Sequence, residues 1–208
     1  GHLGTTRDNP DRYALTVMND ILGGGGFSAR LLTRIRSDEG LAYSAYSSFA
    51  LGTYYDGTFR ASFQSRSETV ARASALVLEE TNRIRSEPVS EEELESSIAS
   101  FVETFTRNFS SARATATLFA NDEYTGRDPE YLIRYRDRIS AVTADDVLRV
   151  AQEYLRPDQL LLLVVGNLEA IAAGDPENPE YSLDGLVTGG VTRIPLPDPF
   201  TMEYPTEP

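Results

Sequence analysis

Apolar positions recur along this chain with two periods, and the switches between them outline the elements. Ala14, Val17, Met18, Ile21 and Leu22 follow at spacings of three and four, one face of a helix entered through the turn Asn9-Pro10-Asp11. Gly23–Gly26 is expected to end it, since consecutive glycines lose much backbone freedom in a helix. Ser28 is expected to cap a second helix through Arg36, with Leu31, Leu32 and Ile35 as its apolar face and Gly40 as its exit.

The period then drops to two. Tyr43, Ala45, Ser47 and Phe49 alternate with Ser44, Tyr46 and Ser48, and Phe59, Ala61 and Phe63 alternate with Thr58, Arg60 and Ser62. Alternation of this kind predicts strands, and the glycines at 52 and 57 place an antiparallel hairpin turn between them. A short strand is also expected within residues 2–6.

Helical spacing returns at 68–85 and stops at Pro88. Ser90 and Glu93 form a capping box ahead of Leu94, Ile98, Phe101, Phe105 and Phe109. Further helices are predicted over 111–124, 128–139 and from Thr143 to about Leu155. Leu160–Val165 is a continuous apolar run after Pro157-Asp158, which reads as a buried central strand. Beyond Asn167 periodicity fades and prolines accumulate, ending with Pro205 and Pro208. The expected organisation is one domain over 1–170 and a Pro-rich extended tail or linker over 171–208. The fold class is α+β: a largely antiparallel sheet with helices packed on one face.

Composition narrows the chemistry. The 208 residues contain no Cys and one His, His2, so the chain offers no thiolate nucleophile, no Cys-built zinc site and no His pair for a metal. A net charge of −13 disfavours nucleic acid, and the longest apolar run is far short of the ~20 residues of a membrane-spanning helix. All the basic residues are Arg and none is Lys. An acidic, lysine-free chain suits a GC-rich genome or a salt-adapted cytoplasm, so a halophilic source is expected. The opening GHLGTTRDNPDRYAL lacks the basic, apolar and small-residue order of a secretory signal and reads as a piece of a longer protein or a mature chain.

The segment most able to carry function is Leu22–Ser48. Its glycines either serve as a hinge or let another chain's backbone come close. No phosphate loop is possible without Lys, and G-x-G-x-x-G is not met. Arg36 and Tyr43 lie seven residues apart across a helix end. They either cap carbonyls and pack, or project together into a cavity to hold a peptide carbonyl or carboxylate.

The string LGGGGFSARLLTRIRSDEGLAYSAYSSF resembles the C-terminal half-domain of the pitrilysin-like (M16) zinc metallopeptidases, in particular the bacterial processing-peptidase-like members. NPDRYALTVMNDILGGG and YLRPDQLLLLVVGNLE resemble the start and end of the same domain, so the likeness covers roughly residues 2–170. The resemblance implies a LuxS/MPP-like metallohydrolase fold and a clamshell of two halves. It implies that Arg36 and Tyr43 bind substrate near the scissile bond, with Tyr43 donating to the developing oxyanion. It matches Gly23, Gly24, Gly25 and Gly26 to the family's glycine-rich loop, which eases substrate entry or half-to-half packing. The family's H-x-x-E-H zinc motif is missing here. The resemblance therefore implies no cofactor in this chain and a zinc ion in an H-x-x-E-H-bearing half, on the same polypeptide or a separate subunit. Peptide is the implied substrate, and this chain alone is expected to be inactive. A non-catalytic scaffold, a peptide-binding subunit and a homodimer remain open, as do a cytoplasmic and a periplasmic bacterial location.

Overall fold

The computed structural model describes residues 1–187 and 189–204; Thr188 and residues 205–208, including Pro205 and Pro208 of the expected tail, lie outside the described residues. The sheet has three antiparallel strands in the order β1-β3-β2: β1 His2–Leu3, β2 Ala42–Ala50 and β3 Thr58–Ser65. The β2–β3 hairpin turns where the glycines predicted it. In register, Phe49 faces Phe59, Ser47 faces Ala61 and Ala45 faces Phe63. This face is covered by helices, and Phe59 is fully buried on it. The opposite face carries Tyr46 and Arg60, both exposed. The α+β class follows, with helices on one face of a small antiparallel sheet.

The first helix, α1 (Arg12–Asn19), buries Ala14, Leu15, Val17 and Met18. It does not stop ahead of the glycines. The chain widens into a π-helical turn over Asp20–Gly24, and Gly25 terminates it. After a 3₁₀ turn at Gly26–Ser28, α2 (Arg30–Leu32) starts from Ala29, whose side chain cannot cap, so Ser28 is not the cap. A second π segment, Thr33–Asp38, continues it. Gly40 closes this run as expected, with φ of +63°, and the Leu41 N–H donates to the Ile35 carbonyl at 2.9 Å.

Helix α3 (Val70–Ser86) crosses beneath the sheet and buries Leu76 and Ile84. Helix α4 (Glu91–Thr104) begins with the predicted capping box, in which Ser90 and Glu93 satisfy each other's backbone N–H groups. It ends at Thr104, and Phe105–Phe109 form a 3₁₀ turn in place of further α-helix. Helix α5 (Ala112–Thr125) is capped by Ser111 and exits through Gly126 at φ +64°. Helix α6 (Tyr131–Ser140) and α7 (Ala144–Tyr154) follow, the latter with a second capping box from Thr143 and Asp146. Val147, Val150 and Ala151 of α7 are fully buried, and α7 packs on both α1 and α3.

Leu160–Val165 corrects the sequence reading. It forms no strand, and although Leu160 packs against the core, Leu161, Leu163 and Val165 are 76%, 75% and 81% exposed. Its ladder contact is one pair with Gly1, which exchanges two 2.9 Å hydrogen bonds with Leu161. A strand needs a neighbour along its length, and this run finds one residue. Two short helices follow, α8 (Leu168–Ala173), which buries Ile171, and α9 (Leu183–Leu186), which lies against α3.

No helix among the described residues is long and apolar enough to cross a membrane.

Candidate functional site

Arg36 and Tyr43 are brought together. The Arg36 guanidinium carbon lies 4.8 Å from the centre of the Tyr43 ring. It lies 5.3 Å from the ring of Phe27, a residue that sequence reasoning passed over. Cation–π attraction at an exposed site contributes about 0.5–1 kcal/mol per contact, enough to favour one orientation of a long side chain. Phe27 and Tyr43 are 81% and 82% exposed. Among the described residues, Arg36 has no carboxylate partner and makes no hydrogen bond. Its N–H groups are therefore available to a ligand.

Two backbone irregularities aim this pair. Ala42 pairs with Ser65 but Ala45 with Phe63, so the register slips by one residue between them. The resulting β-bulge puts Ala42, Ala45 and Ser47 on the buried side and turns Tyr43 out to solvent. Strict alternation had grouped Tyr43 with Ala45 and Ser47; the bulge overrides that parity. Arg36 sits on the π segment, where one extra residue per turn changes the face a side chain occupies.

The platform beneath is tied down by ion pairs. Arg30 at the start of α2 grips Glu93 of α4 through two bonds of 2.6 and 2.8 Å. That grip, mainly the Arg30 hydrogen bonds, draws the Glu93 carboxyl down to about 2. Glu39, just after the π segment, accepts from Arg34 at 2.7 Å and from Arg72 of α3. Both ends of the Arg36-bearing segment are thus anchored to other helices. Glu39 was also missed; nothing in its local spacing marks a partner 33 positions away.

The glycines divide into two kinds. Gly23 is buried: a β-carbon there would lie 2.4 Å from the Ser47 backbone nitrogen and 2.9 Å from a Leu31 methyl. It lets the π turn press against β2, so its close approach is to its own chain's strand. Asn19 holds the same junction, accepting from the Ser47 hydroxyl at 2.9 Å. Gly24, Gly25 and Gly26 are exposed and lead directly to Phe27.

Residues 2–101 match the family model described as the peptidase M16 inactive domain. The matched span, a little under half of the chain, is similar to the M16 inactive domain. The likeness supports a C-terminal, non-zinc domain of the M16 type, and Phe27, Arg36 and Tyr43 all lie within the matched span. Over 171 residues it is 28% identical to an uncharacterized zinc protease of Streptomyces coelicolor, an alignment covering 81% of this chain and 36% of that protein. Over 158 residues it is 27% identical to the uncharacterized zinc protease YmxG of Bacillus subtilis, covering 73% and 37%. The peptidase M16 inactive domain from Pseudomonas fluorescens has a similar structure, with a TM-score of 0.68 and 25% identity over 76% of this chain and 37% of that one. The chain spans little more than a third of the length of these relatives.

The described residues do not offer a set of side chains that fits a zinc ion. The His2 ring lies 5.1 Å from the Phe59 ring, tilted by 34°, its Nδ1 is 2.8 Å from the Leu3 carbonyl and its Nε2 accepts from the Arg156 N–H at 3.1 Å. Both nitrogens are occupied within the fold. Among the described residues, no three His, Cys, Asp or Glu side chains gather as a metal would need.

Proposed function

We propose that this domain is the substrate-binding half of a zinc-dependent metallopeptidase. It would close on an H-x-x-E-H-bearing half that holds the zinc, and it would be inactive alone. The observation that carries the reading is the Arg36–Tyr43 pair: a partnerless guanidinium stacked on an outward-facing phenol. Both groups can donate hydrogen bonds, and neither has a hydrogen-bond partner among the described residues. A peptide carbonyl passing this surface meets two donors of different strength. Arg36 would hold a substrate backbone carbonyl by a charge-assisted bond. Tyr43 would donate its hydroxyl to the oxygen that gains charge when the peptide carbon becomes tetrahedral. A donor aimed at that oxygen lowers the barrier by on the order of 3 kcal/mol. Gly24–Gly26 would let the peptide backbone pass close to Phe27, whose ring offers an apolar surface to one side chain. A salt-adapted bacterial source is part of this proposal, since the charge balance suits it.

The test compares peptide hydrolysis and zinc content in three samples: this chain, the H-x-x-E-H half, and the two together. Activity in the mixture alone supports the reading. Y43F is then expected to lower kcat roughly tenfold or more with a smaller effect on KM, as befits a contact made in the transition state. Stable association with bound zinc but no activity would favour a scaffold role. An unchanged kcat in Y43F would remove Tyr43 from the mechanism.

A further inference from the structure

We infer that a second site, between the start of α1 and α6, binds a phosphate-type oxyanion. A cavity of about 210 Å³ opens there, lined by Arg12, Tyr13, Asp128, Tyr131, Arg134 and Arg138. A neighbouring hollow of about 160 Å³ shares Arg12, Asp128 and Tyr131 and adds Arg7 and Arg127. Five arginines thus line the two hollows, with Asp8, Asp122, Asp128 and Glu130 beside them, on a chain whose net charge is −13. Such a gathering runs against the charge of the molecule, and the arginines that lack a carboxylate partner repel their neighbours unless an anion joins them.

The arginines are not neutralised equally. Arg134 is paired with Glu130, and Arg127 with Asp122 at 3.3 Å. Arg12 and Arg138 have no carboxylate partner among the described residues. Arg12 is held in place: its guanidinium lies 4.7 Å from the Tyr13 ring and 5.2 Å from the Tyr131 ring, and it donates to the Tyr13 hydroxyl at 3.0 Å. Its Nε is shielded from solvent and finds no acceptor among the described residues. Arg134 and Arg138 stand one turn apart on α6 and so share a face across from it. Guanidinium groups approaching from two elements suit a tetrahedral dianion with several acceptor oxygens better than a planar carboxylate, which one fork satisfies. The overall negative field disfavours a polyanion, so the ligand class is a small phosphate or phosphate monoester.

The test is a titration of the 208-residue chain with inorganic phosphate, and separately with phenyl phosphate, followed by amide chemical shifts at constant ionic strength. Saturating shifts centred on residues 10–13 and 128–138, with Kd on the order of 1 mM, are expected. R12Q and the exposed R138Q should each weaken binding at least fivefold, while R60Q on the sheet's outer face should not. Saturation by phenyl phosphate but not inorganic phosphate would restrict the site to monoesters and still support it. Absence of saturation, an equal response to chloride, or wild-type binding in R138Q with its fold intact would overturn the proposal. So would binding of an acidic peptide in place of either phosphate.

Discussion

Replacing Gly23 by Ala adds one methyl group at the tight junction between the π turn and β2. That methyl would stand 2.4 Å from the Ser47 nitrogen, 2.5 Å from its hydroxyl oxygen and 2.9 Å from a Leu31 methyl. Two of these neighbours cannot yield cheaply: the nitrogen belongs to a paired strand, and Leu31 is 1% exposed in the core. The π turn must therefore back away from β2, loosening the Asn19–Ser47 bonds. Overpacking of this kind costs typically 1–3 kcal/mol. With backbone on one side, the upper end applies, about 3 kcal/mol. For a chain of this length that lowers Tm by about 6–12 °C. Gly24 is the internal control. A β-carbon there meets the Asn19 side-chain amide at 2.8 Å and the Asn19 carbonyl oxygen at 3.2 Å, on an exposed surface, and Ala is the better helix former. G24A is expected within about 1 kcal/mol of wild type. Calorimetry of the three proteins in one buffer decides the matter. A G23A melting temperature within about 1 °C of wild type would refute the close-packing argument and return Gly23 to a ligand-facing role.

Three further outcomes follow from the same geometry. E93Q removes the charge of a carboxyl drawn from its ordinary 4.5 to about 2, so its contribution is full above 4.5 and is lost as pH falls toward 2. The pair is partly open to solvent, which screens it, so the loss at pH 7 should be about 1–2 kcal/mol, and the wild-type advantage in urea unfolding should shrink by pH 3. Burial lowers the His2 pKa, so its neutral ring supports the fold above 6.5 and that support is lost as pH falls through the depressed value. H2Q should flatten the melting-temperature profile on the acid side of 6.5, and a profile unchanged from wild type would count against the Arg156 contact. Added KCl should raise the melting temperature of so acidic a chain by screening its self-repulsion, and a flat response would argue against salt adaptation.

The sequence by itself determined much of what depends on neighbours within three or four residues, although Ser28 caps nothing and the chain stays helical through Gly24. Both capping boxes, Ser90–Glu93 and Thr143–Asp146, stand where their side chains reach back one turn. Gly40 has the positive φ its position asked for, and the Gly52–Gly57 turn set the hairpin. The Arg36–Tyr43 pair was legible from its spacing and its resemblance to a family. How that pair is aimed was not. The bulge at 43–44 and the π turns exist because helix and strand must fit one another across the core, and strict periods of 3.6 and 2 carry no record of that fit. Phe27 and Glu39 join the site through partners that only folding brings near. Leu160–Val165 shows the converse. Its composition announced a strand, but strand formation is a property of two segments, and in this fold the run meets one residue of another. Local chemistry is written in the order of the residues; register, facing and pairing are decided by which surfaces fold against each other.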